Sequence, residues 1–265
     1  MNGWINIYKP KGYTSTYCLN VIKSKFKLKK IGHAGTLDPL AEGVLPIAIG
    51  EATKSIPYFA KSKKNYLFEV SWGEETNTLD SEGVTTNVSV IIPCLKEINK
   101  VLHLFIGQID QVPPKFSAKK INGKRCYDLA RNNEEFELKP QKVTIFNLRV
   151  VSHHENKTSF LVSCGSGTYV RSLARDLAYA LNTFGYASKI LRSRYSHFSK
   201  KNTLAMDFLV KNVEKENFYK YLLDIRKVLI HIPSINLEDK RIKLIKNGMK
   251  VSMLEEFGEV NIKSL

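Results

Sequence analysis

One carboxylate in this 265-residue chain stands in a setting that suits catalysis. Asp38 lies in the Gly-rich segment of residues 32–50, and Pro39 follows it directly. Proline disfavours helical backbone in the residue before it, so we expect Asp38 to be held on an extended turn. Such an aspartate can act as a nucleophile, a general base or an electrostatic stabiliser. An Asp-Pro pair taken alone is more typical of an aspartate that only caps a turn.

Other residue types that serve as catalysts or ligands are scattered. His33 suits either stacking on a nucleobase or a bond to nearby backbone, and one histidine does not distinguish these. The 4 cysteines are isolated and form no C-x-x-C pair. The adjacent His153 and His154 are typical of a solvated turn, and no Gly-rich phosphate loop follows a strand-like run. We therefore expect no bound metal and no nucleotide or other cofactor.

The charge balance predicts a polyanionic partner. Lysine and arginine number 41 against 25 acidic residues, which gives a net charge of +16. A protein this basic typically binds nucleic acid, and a general bias towards lysine is the alternative explanation. Hydrophobic residues make up 43% of the chain, which is enough to form a core. No apolar run approaches the roughly 18 residues of a membrane span and no secretory leader pattern is seen, so we expect a cytoplasmic protein.

The elements that would position these residues lack the regular spacing of a doubly wound sheet. Strand-like runs are expected at residues 4–8, 66–72, 143–152, 159–164 and 188–198. Helices are expected from Thr14 or Ser15 to about Phe26, over 93–104, after a cap at Thr168, and over 237–246. Residues 32–50 show no periodicity and are predicted as a working loop. The patterns predict an α+β fold with a mixed, mostly antiparallel central sheet flanked by helices and loops.

Two segments depart from this pattern. Residues 111–140 are basic and poorly periodic, and we interpret them as an excursion from the main fold. The residues after Pro233, with a further strand-like run after Gly248, are too few for an independent core. We predict a catalytic domain of residues 1–228 and a short C-terminal appendage of residues 229–265. No heptad pattern argues for a dimer, so we expect a monomer.

The segment around Asp38 carries a family resemblance. Its sequence GHAGTLDPLAEGVLPI at residues 32–47 resembles the signature of the tRNA pseudouridine-55 synthases, bacterial enzymes that modify the T arm of tRNA. Four further blocks resemble motifs of that family, in the family's order. They are YKPKGYTS at 8–15, KNY at 64–66, GTYVRSL at 167–173 and LRSRYSHF at 191–198. The resemblance therefore implies the pseudouridine-synthase fold.

The resemblance also implies a reaction and a substrate. The enzyme would convert the T-loop uridine at position 55 of tRNA to pseudouridine, with no metal and no organic cofactor. The bond from the sugar to N1 breaks, the base rotates, and C5 joins the sugar. Residues 111–140 correspond to the family's RNA-clamping insertion. Residues 229–265 correspond to the beginning of a PUA-type RNA-binding domain that longer members carry in full.

Site residues follow from the matched motifs. Asp38 matches the catalytic aspartate, Arg171 the arginine that pairs with it, and Tyr66 the tyrosine that stacks on the target base. The motifs do not choose between attack on the sugar, attack on the base and a glycal-type elimination. Four further positions match substrate-binding residues: Tyr169 and Leu191 in the uridine pocket, His33 where the nucleotide has flipped out, and Lys9 at the edge of the site.

Two other functions stay open at this point. One is a non-catalytic RNA binder or tRNA-folding chaperone on the same scaffold. A binder has no reason to hold a carboxylate in a basic RNA cleft, so Asp38 together with Tyr66 and Arg171 favours an enzyme. The other is a pseudouridine synthase for a different RNA, which is excluded less firmly because loops and the C-terminal region determine specificity.

Overall fold

The structure, a computed structural model, describes residues 1–121, 123–132, 134–230, 232 and 237–250. The strands are β1 (Gly3–Lys9), β2 (Ile31–His33), β3 (Glu42–Ile49), β4 (Lys64–Trp72), β5 (Glu74–Thr76), β6 (Thr85–Val88), β7 (Gly107–Gln111), β8 (Lys120–Ile121), β9 (Lys124–Arg125), β10 (Gln141–His154), β11 (Lys157–Cys164), β12 (Gly185–Tyr195), β13 (Phe198–Ser199) and β14 (Leu204–Ala205). The helices are α1 (Ser15–Lys25), α2 (Ile56–Ala60), α3 (Leu95–Val101), α4 (Cys126–Arg131), α5 (Val170–Ala180), α6 (Met206–Asn212), α7 (Ile225–Val228) and α8 (Asp239–Lys246).

Most of the strands form one central sheet. Its order is β14-β1-β3-β12-β4-β11-β10-β7, with β2 paired to β3 and β13 paired to β12. Neighbours are antiparallel, except that β12 runs parallel to β3 and β14 runs parallel to β1. Two short hairpins, β5–β6 and β8–β9, stand apart from it. The predicted α+β fold with a mixed, mostly antiparallel sheet is confirmed.

The first hydrophobic core lies between α5 and the sheet strands β4, β11 and β12. Apolar residues recur along one face of α5, and Leu173 and Leu177 are fully buried there. They belong to the same cluster as Phe68 of β4. Burying one such side chain stabilises the fold by about 1.5–3 kcal/mol. This packing fixes the first turn of α5, which carries Arg171, against the strand that carries Tyr66.

A second core places α1 and α6 against β1 and β3. Thr14 caps α1, because its Oγ1 accepts the N–H of Tyr17 at 3.0 Å. The helix begins at Ser15 and ends at Lys25, as the capping pattern predicts. Ile22 is fully buried in this core. The turn of residues 10–14 that precedes α1 is thereby held at one end of β1.

The segment of residues 32–50 was predicted as one loop, and this is wrong. It contains the end of β2 and the whole of β3, and the loop itself spans only residues 34–41. Nearly every residue of β3 is buried, because β1, β2 and β12 all pair with it. A strand buried on both faces shows no polar alternation, so its sequence carries no period of two.

The start of α5 also differs from the prediction. The helix begins at Val170, and Tyr169 rather than Thr168 occupies the N-cap position without a side-chain cap. The side chain of Gln111 takes over this task. Its Oε1 accepts the N–H of Tyr169 at 2.8 Å, and its Nε2 donates to the carbonyl oxygen of Tyr169 at 3.2 Å. A residue distant in sequence satisfies the helix end, which local capping rules do not detect.

Residues 112–140 leave the sheet and return to it at one place. Gln111 at the end of β7 pairs with Gln141 at the start of β10, so the two ends of this excursion are adjacent strands. The hairpin β8–β9 and helix α4 form its described secondary structure.

The chain divides into two compact units, Met1–Val228 and Leu229–Leu265. Helix α8 is the described helix of the second unit. The strand-like run expected after Gly248 falls almost entirely outside the described residues. Pro233 and residues 234–236 also lie outside them. No helix in the described part of the chain is long and apolar enough to cross a membrane.

We expect Gly43→Ala to lower the free energy of unfolding by about 2–4 kcal/mol. Gly43 has a φ of +108°, and an added Cβ would overlap the carbonyl oxygen of Arg192 on β12. Gly12→Ala is the matched control, with a φ of +87° and no atom within 4 Å of the added Cβ. In Gly12→Ala the only cost is that of placing a side chain on a left-handed backbone, about 1–2 kcal/mol. Urea denaturation measures the free energy of unfolding of both variants. If both lose the same amount, the close contact between Gly43 and Arg192 does not explain the loss.

Candidate active site

The loop of residues 34–41 joins β2 to β3 and carries Asp38. Ser15, buried at the start of α1, bonds both backbone groups of Leu37. Its Oγ donates to the carbonyl oxygen at 3.0 Å and accepts the N–H at 2.8 Å. The N–H of Gly12 donates to the carbonyl oxygen of Pro39 at 2.8 Å. The backbone on both sides of Asp38 is therefore fixed to the turn before α1.

Lys9, predicted at the edge of the site, holds this same loop. Its side chain is fully buried, and its Nζ donates to the carbonyl oxygens of Pro10, Tyr13 and Pro39 at 2.9, 2.5 and 3.3 Å. Burial lowers the pKa of Lys9 to about 8. Lys9 is not among the described residues that line the pocket around Asp38. The structure thus places it behind the loop, in contact with backbone.

Arg171 lies between two carboxylates. Its Nη2 is 2.9 Å from Oδ2 of Asp38, and its Nη1 is 3.3 Å from Oδ2 of Asp80. The same two nitrogens donate to the carbonyl oxygens of Phe116 at 2.9 Å and Thr78 at 2.8 Å. The side chains of Arg171 and Asp80 are each 4% exposed, whereas that of Asp38 is 38% exposed. Asp38, Arg171 and Asp80 thus form an array of alternating charges. Solvent reaches Asp38, its outer member.

Asp80 was missed by sequence reasoning. It lies in the turn between β5 and β6, where its Oδ1 accepts the hydroxyl of Thr78 at 2.6 Å and the N–H of Glu82 at 3.0 Å. These are the bonds of an ordinary Asx-type turn, and the sequence Asp-Ser-Glu-Gly gives the same signal. Only the ion pair with Arg171 distinguishes it, and that contact comes from the tertiary fold.

A pocket of about 410 Å³ opens beside Asp38 and Arg171. Three tyrosines and three further cations line it: Tyr66, Tyr169, Tyr195, Lys64, Lys119 and Arg192. Burial raises the pKa of Tyr66 and of Tyr169. Both phenols are therefore protonated at neutral pH and can donate hydrogen bonds. The structure brings together Asp38, Arg171, Tyr66 and Tyr169, which the sequence had placed in three separate blocks.

Arg192 lines the pocket and is the second residue of the site that sequence reasoning passed over. It is 1% exposed, and its Nε and Nη2 donate to the carbonyl oxygens of Val44 and Gly35 at 2.7 and 3.1 Å. Its guanidinium also lies 5.1 Å from the ring centre of Tyr195. Arg192 lies in the motif at residues 191–198, but the resemblance in that motif points to its neighbour Leu191.

Leu191 does not line the pocket that holds Asp38. It lines an adjoining cavity with Lys11, Leu40 and Glu42, while Ile190 lines both cavities. Successive residues of a strand point to opposite faces, so Ile190 and Arg192 of β12 reach the pocket and Leu191 does not. Ile190 is the apolar residue of β12 that lines the pocket beside Asp38.

His33 lies at the end of β2, half-buried, where it pairs with Ile47 of β3. Burial lowers its pKa, and the nearby charge of Arg192 lowers it further. The imidazole is therefore neutral at pH 7. His33 is not one of the described pocket-lining residues, although Gly35 and Thr36 of the same loop are. Among the described residues, no group of three or more His, Cys, Asp or Glu side chains is placed to hold a metal ion.

The chain matches one described protein family and several curated relatives. The family model described as TruB family pseudouridylate synthase (N terminal domain) matches residues 23–170. The tRNA pseudouridine synthase B of Ehrlichia ruminantium (strain Gardel) is 45% identical over 259 residues, which cover 96% of this chain and 87% of that protein. The tRNA pseudouridine synthase B of Caulobacter vibrioides is 41% identical over 255 residues, covering 96% and 82%.

A solved structure has the same fold. The crystal structure of a Cbf5-Nop10-Gar1 complex contains a chain that superposes with a TM-score of 0.67 at 25% identity. The match covers 94% of this chain and 68% of that one. The sheet and the helices that position the pocket therefore recur in a distant relative.

We expect the contribution of Lys64 to stability to increase with pH between 8 and about 10. Burial, reinforced by Arg192, lowers the pKa of Lys64 from 10.5 to about 8 in the folded chain. Within that window the unfolded chain holds a proton that the folded chain has released, so raising the pH favours folding by up to about 1.4 kcal/mol per pH unit. Below pH 8 both states are protonated, and the contribution is constant.

The measurement is urea denaturation of the wild type and Lys64→Met at pH 7.5, 8.5 and 9.5. The wild type should gain stability relative to Lys64→Met at each step, because other titrating groups cancel in the difference. Lys201→Met, at an exposed position, is the control and should show a constant difference. If the difference in stability between the wild type and Lys64→Met is also independent of pH, the pKa of Lys64 is not lowered by folding.

Proposed function

Because the chain belongs to the TruB family of pseudouridylate synthases and isomerises a uridine of tRNA to pseudouridine, we propose that its target is the T-loop uridine at position 55 and that Asp38 is its catalytic carboxylate. One observation carries the proposal. Asp38 reaches solvent at a pocket, while the Arg171 and Asp80 side chains that hold the array in place are each 4% exposed. The reactive carboxylate is thereby oriented and still accessible to substrate.

The reaction exchanges one bond for another and changes no composition. The bond from C1′ to N1 breaks, the uracil rotates, and a bond from C1′ to C5 forms. The proton on C5 leaves and N1 acquires one, so the product is an isomer of the reactant. Asp38 serves this exchange by attack on the sugar or base, or by assisting elimination at the sugar.

Arg171 orients Asp38. A guanidinium that binds a carboxylate by a charge-assisted bond fixes the direction of that carboxylate. Here the guanidinium is itself fixed by Asp80 and by the carbonyl oxygens of Thr78 and Phe116. Arg171 therefore presents Asp38 in one position throughout the rotation of the base.

The rest of the pocket suits a uracil ring. Tyr66 supplies an aromatic face and a protonated phenol, and Tyr169 supplies a second phenol at the start of α5. The buried cations Arg192 and Lys64 make the pocket positive, which favours the charge that uracil carries when its bond to the sugar breaks. Ile190 provides apolar contact in the place first expected for Leu191.

The uridine must leave its RNA stack to enter this pocket. Unstacking costs a few kcal/mol, which phosphate contacts and aromatic stacking must offset. In the proposal His33, beside Arg192, contacts the RNA where the base has left. Lys9 acts as a positioning residue by holding the loop of residues 34–41. The excursion of residues 112–140, with seven lysines and arginines, clamps the RNA.

The proposal also covers the two structural units, the oligomeric state and the location of the enzyme. The unit Met1–Val228 is the catalytic domain, and the unit from Leu229 is a PUA-like appendage that adds RNA contacts. The enzyme works as a monomer on the T arm. It works in the cytoplasm, where a tRNA-modifying enzyme meets its substrate.

We expect Asp38→Asn to lower the rate of pseudouridine formation by at least about 100-fold. The amide keeps the size of the side chain and removes the charge that reacts and that pairs with Arg171. An unmodified tRNA transcript is incubated with each protein, and pseudouridine is mapped by carbodiimide labelling and primer extension. Asp176→Asn is the matched control, since Asp176 of α5 pairs with Arg175 outside the pocket.

Each outcome of that assay bears on a different part of the proposal. A stop at the T-loop uridine with the wild type and Asp176→Asn, but not with Asp38→Asn, supports target and residue together. A stop elsewhere keeps the chemistry and rejects the T-loop target. No stop with any protein, despite tight tRNA binding, would instead support a tRNA chaperone.

We expect Asp80→Asn to lower the single-turnover rate by about 10- to 100-fold and to leave tRNA affinity within about twofold. Asp80 touches no substrate in the proposal, but its charge fixes Arg171 on the side opposite Asp38. Thermal unfolding of the variant checks that the fold persists. An unchanged rate would show that Arg171 needs only Asp38 and the two carbonyl oxygens.

A further inference from the structure

Two tyrosine rings stack on each other at the protein surface. The ring centres of Tyr13 and Tyr17 are 4.9 Å apart, and their planes are 8° from parallel. Tyr13 is 44% exposed and Tyr17 is 48% exposed. Aromatic side chains in contact with each other usually lie in a core, where burial of their area stabilises the fold. A paired stack left in water offers flat apolar faces to a partner.

The stack is fixed to the loop that carries Asp38. The carbonyl oxygen of Tyr13 accepts Nζ of Lys9 at 2.5 Å, and the same Nζ donates to the carbonyl oxygen of Pro39 at 3.3 Å. The neighbour Gly12 bonds Pro39 directly. Tyr13 and the residue after Asp38 therefore share one buried lysine. The backbone of Tyr13 therefore holds a constant position relative to the loop that carries Asp38.

Local chemistry at the stack suits an RNA base. Lys11 is exposed in the same turn, and the whole chain carries a net charge of +16. Unpaired bases in RNA loops bind proteins by stacking on aromatic rings, while cations nearby take the phosphates. Neither tyrosine lines the pocket itself, so the stack does not contact the uridine that enters there.

We propose that the Tyr13–Tyr17 pair binds an unpaired nucleobase of the substrate RNA, next to the uridine that enters the pocket, by extending the aromatic stack. The inference rests on the proposed function, because it places a neighbouring part of the same RNA. It adds a surface that recognises substrate outside the reacting group. A base held there orients the backbone on one side of the flipped uridine and contributes to binding rather than to the chemical step.

The same pair could instead stabilise the start of α1, and that role predicts different measurements from base stacking. Tyr13 precedes the cap residue Thr14, and Tyr17 lies in the first turn of α1. Contact between such positions can fix the direction in which the chain enters a helix. Loss of that role lowers the stability of the protein, and loss of base stacking raises KM and the Kd for tRNA. The test therefore measures all three.

The test compares Tyr13→Ala, Tyr17→Ala and the double variant with Tyr13→Phe and Tyr17→Phe on an unmodified tRNA transcript. The double Ala variant should raise KM by about 5- to 100-fold and leave kcat within about twofold. Combined with Asp38→Asn, it should raise Kd for tRNA by the same factor. The Phe variants should match the wild type, because stacking needs the ring and not the hydroxyl.

Two controls separate stacking from charge and from general surface effects. Tyr219→Ala removes a tyrosine that is 58% exposed and does not line the pocket, and should leave KM unchanged. The dependence of binding on salt should be the same in the double Ala variant as in the wild type, because the rings carry no charge. Lys11→Gln should reduce the slope of log K against log salt by about 1.

KM and Kd within twofold of the wild type in the double Ala variant would overturn the proposal. A lower melting temperature with unchanged KM would also overturn it, and would assign the pair to the start of α1. Failure of the proposed function looks different. In that case the wild type forms no pseudouridine, while Kd for tRNA still depends on Tyr13 and Tyr17.

Discussion

The buried guanidinium of Arg171 is the interaction on which the site depends. A charge removed from water is costly unless it is paired and hydrogen-bonded, and here four acceptors surround two of its nitrogens. The acceptors come from the Asp38 loop, the β5–β6 turn and the excursion of residues 112–140. These three segments are distant in sequence. Their convergence on one cation defines the place where the loop carrying Asp38 must lie.

The sheet supplies the rigid frame for this convergence. β4, β11 and β12 present one face to α5, so the first turn of the helix is held over the strands that carry Tyr66 and Arg192. Gly43 allows β3 to approach β12 closely, which places the Asp38 loop at the same end of the sheet. The family model that matches residues 23–170 ends one residue before Arg171. The relatives that match 96% of the chain extend across the whole site.

The sequence predicted those parts of the structure that local chemistry or a long motif specifies. The strand of Tyr66, the cap at Thr14 and the apolar face of α5 follow from period and capping, and the fold class follows from their order. β3 was missed because burial on both faces removes its alternation. Asp80 was missed because its local bonds are those of any turn, and Arg192 because only strand geometry shows which neighbour faces the pocket. In each case the deciding contact is made by the tertiary fold.

Gln111 gives the excursion of residues 112–140 a direct connection to the site. Its side chain holds both backbone groups of Tyr169, and further along the excursion Phe116 supplies one of the four acceptors of Arg171. The conformation of this segment and the order of the Asp38–Arg171 pair are therefore thermodynamically linked. By reciprocity, an RNA that favours the arrangement seen here stabilises the pair, and an ordered pair raises the affinity for that RNA by the same factor. Binding of such an RNA and ordering of the Asp38–Arg171 pair then form one cooperative event.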